Sequence, residues 1–335
     1  PLALVMPRLD AGDTVQARLL IDAYLHARQF YEGRAGVEAV DVRQSPRNED
    51  ERTRFAKVLA DPPLPLDDLE ALADGGLLHK QALILRPPEL IENLLHDVPT
   101  VFGSPVTLNI EARAVNDEAF DAIILASGMN IQTVAPWLSL TGKLGQVEHA
   151  DGLSTAPGSA VASGHYALAS GRERLWGATF ETAPKGSPDT SADARASNLT
   201  ALEALSPWWL SQVRGAAFAS RAGVRATTPD RLPVAGPLPD LQTALEQLAP
   251  LKTGQDVHND VPLLPGCFLA GGLGSRGFTF APWLADILVA QITDAPRPAT
   301  KAALEAISPM RIIRRALKRG KTLVGDLQRA GRGCL

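Results

Sequence analysis

The segment best suited to chemistry is a glycine-rich loop that connects an apolar run to a helix-like segment. Residues 267–270 are apolar, glycines stand at 271, 272, 274 and 277, and Pro282 opens a stretch with apolar residues at helical spacing. A strand, a loop and a helix start in this order present backbone N–H groups and the positive end of a helix dipole to an electron-rich ligand. The loop carries one cation, Arg276, which we expect to face a substrate.

The same loop matches the dinucleotide fingerprint G-x-G-x-x-G through Gly272, Gly274 and Gly277. That interpretation is disfavoured because the loop lies close to the C-terminus, and Pro-Arg-Pro occupies 296–298, where an acidic ribose ligand is expected. Two alternatives remain open. The helix start could stabilise the negative charge of a reduced flavin at its N1–C2=O locus, or the glycines could form a tight turn without a ligand.

A second candidate region, residues 221–237, contains several arginines among glycines and prolines. Arg221, Arg225 and Arg231 accompany a single acid, Asp230. A fixed guanidinium can bind a carboxylate through two parallel hydrogen bonds, which lysine cannot reproduce. The alternative is that these arginines pair with Asp230 or bind backbone carbonyls. Both interpretations stay open, and Arg225 is the first candidate for binding a substrate carboxylate.

The C-terminal segment is locally basic in a chain whose net charge is −4. Its apolar residues at 312, 313 and 317 provide a side for docking, and its cations are suited to phosphate groups. A solvated basic helix face is an equally good interpretation of the charge alone. The six cations are Arg311, Arg314, Arg315, Lys318, Arg319 and Lys321.

Several function classes lack the residues they need. The six histidines and two cysteines show no metal-ligand spacing and no disulfide framework. Neither a G-x-S-x-G elbow nor a Walker loop occurs, so hydrolase and NTPase chemistry have no support. No apolar window is long enough to span a membrane. A reducing, cytoplasmic setting is expected, and because the sequence does not begin with Met we expect further residues upstream.

The elements that must position these residues alternate irregularly between helix and strand. We predict a helix from residue 13 or 14 to Tyr31, a helix capped by Asn48, strands at 100–102 and 106–114, and a buried parallel strand at 122–126 that ends at Ser127 and Gly128. A β-rich block occupies 143–181. The pattern predicts an α/β nucleotide-binding scaffold interleaved with a β-rich substrate domain.

The motifs RAGVRATTPDRLPVAGP and FLAGGLGSRGFTFAP resemble the C-terminal signatures of the D-amino-acid oxidase/glycine oxidase class of FAD-dependent amine oxidases. Within that class, LVMPRLDAGDT, KLGQVEH, WGATFE and the basic ending resemble the FAD oxidoreductase domains of bifunctional enzymes that synthesise 5-methylaminomethyl-2-thiouridine in tRNA. The resemblance covers essentially the whole chain. The family's GxGxxG unit for the ADP half of FAD is expected upstream of Pro1, as is any SAM-dependent methyltransferase domain.

The resemblance implies a mixed α/β, two-domain fold of the glycine-oxidase type that lacks its first Rossmann βαβ unit. The implied FAD-binding domain comprises 1–33, 76–142 and 225–298. The implied substrate domain comprises 34–75 and 143–224, and 299–335 form a basic C-terminal segment.

The implied reaction is oxidation of the carboxymethylaminomethyl group on a wobble uridine to an imine, whose hydrolysis gives aminomethyl-uridine and glyoxylate. Two alternatives stay open: a small-molecule amine or amino-acid oxidase of the same fold, and a non-catalytic tRNA-binding remnant.

The resemblance also implies roles for particular residues. Arg225 and Arg276 would act around the substrate carboxylate, with Arg221 and Gln146 as further substrate contacts. The basic segment would bind tRNA phosphates. The implied flavin contacts are Pro7, Arg8, Ser127, Gly128, Gly272, Gly274, Ser275, Arg276, Gly277 and Phe278.

Overall fold

The protein is described from a computed structural model, which covers residues 2–103, 106–154, 156–183, 188–257, 260–320 and 323. It divides into two compact units. The first unit is Pro1–Thr100, Lys143–Val224 and Phe278–Pro282; the second is Val101–Gly142, Arg225–Gly277 and Trp283–Leu335.

The helices and strands of the described ranges are as follows. The helices are α1 Val15–Tyr31, α2 Glu49–Ala60, α3 Pro87–Leu95, α4 Ala192–Leu205, α5 Pro207–Val213, α6 Leu241–Gln247, α7 Gly277–Ile292, α8 Lys301–Ile307 and α9 Met310–Lys318. The strands are β1 Ala3–Val5, β2 Val37–Gln44, β3 Leu69–Ala71, β4 Leu77–Leu85, β5 Leu108–Asn109, β6 Ala114–Val115, β7 Glu118–Ala119, β8 Ile123–Leu125, β9 Thr141–Ala150, β10 Ala156–Ser163, β11 His165–Gly171, β12 Glu173–Gly177, β13 Glu181–Thr182, β14 Ala219–Thr227, β15 Val234–Pro239 and β16 Leu263–Gly271.

The first unit is built on a ten-stranded sheet, counted over the described residues, in the order β1-β4-β2-β10-β11-β12-β9-β13, with β3 beside β4 and β14 beside β9. Most pairs are antiparallel, whereas β2 and β10 run parallel. Alternate residues of these strands bury Val42, Ile84 and Leu168 in one apolar cluster. Trp176 of β12 packs with Leu202 of α4 and Trp209 of α5 in another cluster.

Local capping residues start the first two helices where the sequence predicts. The Thr14 hydroxyl accepts from the backbone N–H of Ala17 at 3.1 Å, and Asn48 accepts from the N–H of Glu51 at 2.9 Å. Each side chain satisfies one of the amide donors that the first turn of a helix leaves without a partner. The predicted helices at 13–31 and from Asn48 are therefore confirmed.

The second unit contains a three-stranded sheet, β15-β16-β8, and a small β5-β6-β7 meander. Strands β16 and β8 run parallel, with Leu269 opposite Leu125. Helix α9 packs its apolar side into the core of this unit through Ile312, Ile313 and Leu317, as the sequence predicts. Within the described residues, no helix combines the length and the apolarity needed to cross a membrane.

Two predictions about strands are wrong. The segment 122–126 pairs in parallel as expected, but β8 ends its sheet in the described chain, and Ile124 is 42% exposed. An edge strand leaves one side without a neighbour, so an apolar sequence alone does not establish burial. No strand lies at 100–102, where Val101 is 85% exposed, and the two-residue strands β5 and β6 replace the single strand expected at 106–114.

The two units also differ from the expected domain boundaries. Residues 1–33 and 76–100 belong to the same unit as 34–75, whereas the expected division assigned them to the FAD-binding domain. The functional assignment of each segment stays a prediction.

Candidate active site

The glycine-rich loop is held against the end of β14 by backbone hydrogen bonds. The N–H of Gly274 donates to the carbonyl of Ala226 at 2.9 Å, and the N–H of Arg276 donates to the carbonyl of Leu273 at 3.1 Å. Leu273 also forms an isolated antiparallel bridge with Thr227. The loop that carries Arg276 therefore runs beside the end of the strand that carries Arg225.

Two glycines of this loop lie close to side chains of the protein. A Cβ atom at Gly271 would lie 2.5 Å from Cδ1 of Ile131, and one at Gly272, whose φ is +64°, would lie 2.6 Å from Cγ2 of Thr228. Real Cβ atoms do not approach other atoms this closely. Close packing therefore accounts for glycine at 271 and 272. At Gly277 a Cβ atom would have its nearest neighbour, Cδ1 of Leu273, at 3.9 Å, so there is space beside the start of α7.

The start of α7 fits an electron-rich ligand. Arg276 occupies its N-cap position without a side-chain cap hydrogen bond, and its first turn contains no acidic residue. By contrast, Thr14, Asn48, Ser191 and Thr300 each cap their helices through a side-chain oxygen. The first-turn amides and the helix dipole of α7 can therefore stabilise negative charge on a ligand such as the N1–C2=O edge of a flavin.

A buried tyrosine fixes this helix start, and sequence reasoning missed it. Pro282 lacks the N–H that would otherwise donate to the carbonyl of Phe278 four residues earlier. The hydroxyl of Tyr31 donates to that carbonyl at 3.0 Å instead. Burial raises the pKa of Tyr31, which keeps its hydroxyl protonated as a donor. The four-residue spacing of Phe278 and Pro282 indicates in the sequence that the carbonyl of Phe278 lacks its helical donor. It does not indicate that Tyr31 of α1 supplies a donor in its place.

The parallel pair of β8 and β16 brings three predicted flavin contacts to one edge. Leu125 lies opposite Leu269, so Ser127 and Gly128 follow β8 at the same edge where Gly272 follows β16. Ligands of open α/β sheets bind at the carboxyl ends of parallel strands. The geometry is therefore favourable for Ser127, Gly128 and Gly272, whose contact with flavin stays a prediction.

The remaining predicted site residues lie in different surroundings. Arg221 and Arg225 both lie on β14, four residues apart, so they project from the same face of the strand; Arg221 is exposed, whereas Arg225 and Arg276 are partly buried. In the first unit, Pro7 is buried and Arg8 is exposed beside Asp10 at 3.3 Å. Their predicted roles stay predictions.

Gln146 is only 1% exposed, and its amide is occupied within the protein. Its Nε2 donates to Glu148 at 2.8 Å and to the carbonyl of Ser191 at 3.1 Å, while its Oε1 accepts from the N–H of Ser191 at 2.8 Å. Glu148 also accepts from Asn198 and Ser220. This network ties α4 to β9. A substrate contact by Gln146 would require these hydrogen bonds to break.

The cations of the basic segment fall into two groups, those that bind other parts of the protein and those that reach solvent. Arg311 is largely buried and donates to Asp230 at 3.0 and 3.1 Å and to the carbonyl of Leu232 at 2.9 Å. Burial raises the pKa of Asp230, but the hydrogen bond and charge of Arg311 outweigh it and hold that pKa below its ordinary value. Arg314 donates to the carbonyl of Val257 at 2.7 Å.

The other cations of the segment are more accessible. The side chains of Arg315 and Lys318 are 41% and 59% exposed, and Arg319 is exposed. Lys321 lies outside the described residues. The structure thus separates Arg311 and Arg314, which hold α9 in place, from the cations that reach solvent.

Comparison with protein families gives a match over residues 6–291 to the DAO family, described as FAD-dependent oxidoreductases. The chain belongs to this family. The match covers most of the chain and includes β14, β16, the glycine-rich loop and nearly all of α7. The predicted family, the FAD-dependent oxidoreductase class and the FAD cofactor are therefore confirmed.

Solved structures support the fold. Iminodiacetate oxidase from Chelativorans sp. BNC1 is 17% identical with a TM-score of 0.66, covering 92% of this chain and 88% of that chain. Glycine oxidase from Bacillus cereus ATCC 14579 is 13% identical with a TM-score of 0.62, covering 87% of each chain. At these identities the likeness establishes the fold, and it confirms the predicted mixed α/β fold of the glycine-oxidase type.

A curated relative adds a more specific similarity. The tRNA 5-methylaminomethyl-2-thiouridine biosynthesis bifunctional protein MnmC of Maricaulis maris is 31% identical over 332 residues, which are 95% of this chain and 49% of that protein. The chain spans about half the length of the curated relatives it matches.

Proposed function

We propose that this chain oxidises the carboxymethylaminomethyl group of 5-carboxymethylaminomethyl-(2-thio)uridine at the tRNA wobble position. The products are 5-aminomethyl-(2-thio)uridine and glyoxylate. The observation that carries the proposal is the 31% identity to a tRNA-modifying bifunctional protein over 95% of this chain, within a family of FAD-dependent oxidoreductases. A cytoplasmic location and a SAM-dependent methyltransferase partner, fused or separate, belong to the same proposal.

The residues of the chain take two parts in this proposal. The backbone of 272–278 and the uncapped start of α7 hold the flavin, whose chemistry, when it is bound, is acceptance of hydride from the carbon next to the substrate nitrogen. Arg225 and Arg276 bind the substrate carboxylate and orient that carbon. Because hydride abstraction depends on position more than on acid–base groups, the site needs no catalytic triad.

A small-molecule amine oxidase is the second candidate, and a specific observation favours it. The solved structures that share the fold are named for small amines and amino acids, including iminodiacetate and glycine. The two functions differ in whether the substrate is a free amino acid or the same group attached to RNA.

Flavin reduction separates the two candidates. The full-length flavoprotein is mixed without oxygen with carboxymethylaminomethyl-modified tRNA, with glycine or with sarcosine, and the loss of the flavin absorbance is followed. We expect faster reduction by the tRNA. Faster reduction by the free amino acids would refute the tRNA reaction and support the small-molecule oxidase.

A further inference from the structure

A concave basic surface lies between α9 and residues 251–257 in the second unit. We call it the α9 cleft: a cavity of about 580 Å³ lined by Leu251, Asp256, Val257, Arg311, Arg314, Arg315, Lys318 and Arg319. Sequence reasoning identified all five cations of the lining but not the opposite wall, which comes from residues 251–257. The charges therefore line a cavity, whereas a solvated helix face would be convex.

The cations of the cleft outnumber its acids. The lining includes five cations and Asp256, and Asp230 adds a second carboxylate through its contacts with Arg311 and Arg315. Five positive and two negative charges leave a net charge of +3. This excess is local, because the whole chain carries −4, and a local excess of this kind concentrates anions at the surface.

The helix that forms the base of the cleft is anchored in the second unit. Ile312, Ile313 and Leu317 of α9 are buried in the core of the unit, and the contacts of Arg311 with Asp230 and of Arg314 with Val257 anchor the same helix. The remaining cations are thus presented from a fixed helix, which reduces the conformational entropy lost when a ligand binds.

The acids of the cleft leave most of this charge available. Asp230 already accepts from Arg311 and from the hydroxyl of Thr228 at 2.9 Å, so Arg315, at 3.2 Å, is a further partner of a well-satisfied carboxylate. Lys318 lies 3.5 Å from Asp256, whose side chain is 75% exposed. Ion pairs as exposed as this one are weak, and a phosphate can replace Asp256 as the partner of Lys318.

We propose that the α9 cleft binds the phosphodiester backbone of RNA through Arg315, Lys318 and Arg319, while Arg311 and Arg314 hold the helix and Asp256 weakens the site. The inference rests on the proposed function for its choice of RNA as the polyanion. It goes beyond that function by dividing the cations into ligands and anchors and by including an acid that opposes binding.

Binding of an unmodified RNA tests the cleft without any turnover. The full-length flavoprotein is titrated into a labelled anticodon stem–loop that carries unmodified uridine, and fluorescence anisotropy gives Kd at about 50 and 200 mM salt. We expect Lys318→Ala and Arg319→Ala to weaken binding. Each lost contact should make the decrease in affinity over this salt range about threefold smaller. Asp256→Asn should strengthen binding.

The matched control is Lys301→Ala, which removes the same charge from an exposed position on α8 in the same unit, outside the cleft. It should leave Kd and its salt dependence unchanged. Equal losses in all three alanine variants, or no loss in Lys318→Ala and Arg319→Ala, would overturn the proposal. Tighter binding of polyglutamate than of RNA would also overturn it and would indicate an acidic protein partner.

The result is separable from the proposed function. If the wild-type protein oxidises modified tRNA while the cleft variants bind RNA normally, only the cleft proposal fails. If the cleft variants behave as expected while modified tRNA does not reduce the flavin, the oxidation proposal fails and the RNA site stands.

Discussion

At the scale of single residues, Arg225 is the side chain on which the proposed substrate contact most depends. It lies on β14 next to Ala226, whose carbonyl binds the glycine-rich loop. Arg225→Leu should cost about 2–5 kcal/mol of binding to a carboxylate substrate, because it leaves a buried carboxylate without its charge partner. The measurement is the Kd of a carboxylate-bearing amine, obtained from flavin spectral changes.

Two further variants control this experiment. Arg225→Lys keeps the charge but loses the two parallel hydrogen bonds of the guanidinium, so it should recover only part of the affinity. Arg18→Leu removes an exposed arginine of α1 in the first unit that pairs with Asp13 and should leave the Kd of the carboxylate unchanged. An unaltered Kd in Arg225→Leu would refute the role of Arg225.

At the scale of elements, the start of α7 depends on a donor from α1. Tyr31→Phe removes the hydroxyl that binds the carbonyl of Phe278 and leaves a partly buried acceptor without this partner, which should cost about 1 kcal/mol of unfolding free energy. The measurement is urea unfolding of the flavoprotein, with the visible flavin spectrum recorded beside it.

Pro282→Ala provides the matched test, because alanine restores the backbone N–H that can donate to Phe278. In that background Tyr31→Phe should cost much less, and the difference between the two costs is the coupling energy of the double-mutant cycle. Equal costs in both backgrounds would show that the hydroxyl of Tyr31 does not replace the missing amide of Pro282.

Elements whose signals are local could be predicted from the sequence. The caps at Thr14 and Asn48 act within three residues, and the apolar side of α9 follows from helical spacing. The opposite holds for contacts between distant segments: Tyr31 reaches Phe278 across 247 residues, and Asp230 binds Arg311 across 81. Residue types alone do not specify which partner a distant segment supplies.

The candidate site shows the same division between local and distant information. The sequence predicts the loop 271–277 and its neighbouring strand because glycines, apolar runs and prolines mark them directly. It does not predict that packing against Ile131 and Thr228 accounts for Gly271 and Gly272, or that Gln146 is buried in a polar network. These outcomes depend on which surfaces meet after folding.

At the scale of the whole molecule, the response of stability to pH should depend on a buried histidine far in sequence from the glycine-rich loop. His79 is fully buried in β4, and its Nε2 donates to the amide oxygen of Gln44 at 2.7 Å. Its Nδ1 has no hydrogen-bond partner in the described chain, so a second proton would be buried without an acceptor. Desolvation lowers the pKa of His79 from 6.5 to about 4.

The sign of the effect follows from the two pKa values. Below pH 6.5 the unfolded chain binds a proton at this position that the folded protein does not bind until about pH 4. Stability contributed by neutral His79 is therefore complete above pH 6.5 and is lost as the pH falls towards 4, by up to about 3 kcal/mol in total.

The free energy of unfolding, measured in urea at pH 7, 6 and 5, should decrease as the pH falls over this range. His79→Gln, which cannot titrate, should make that decrease smaller, whereas His96→Gln, at an exposed position, should not. If His79→Gln retains the full pH dependence of the wild type, the acid sensitivity has another source.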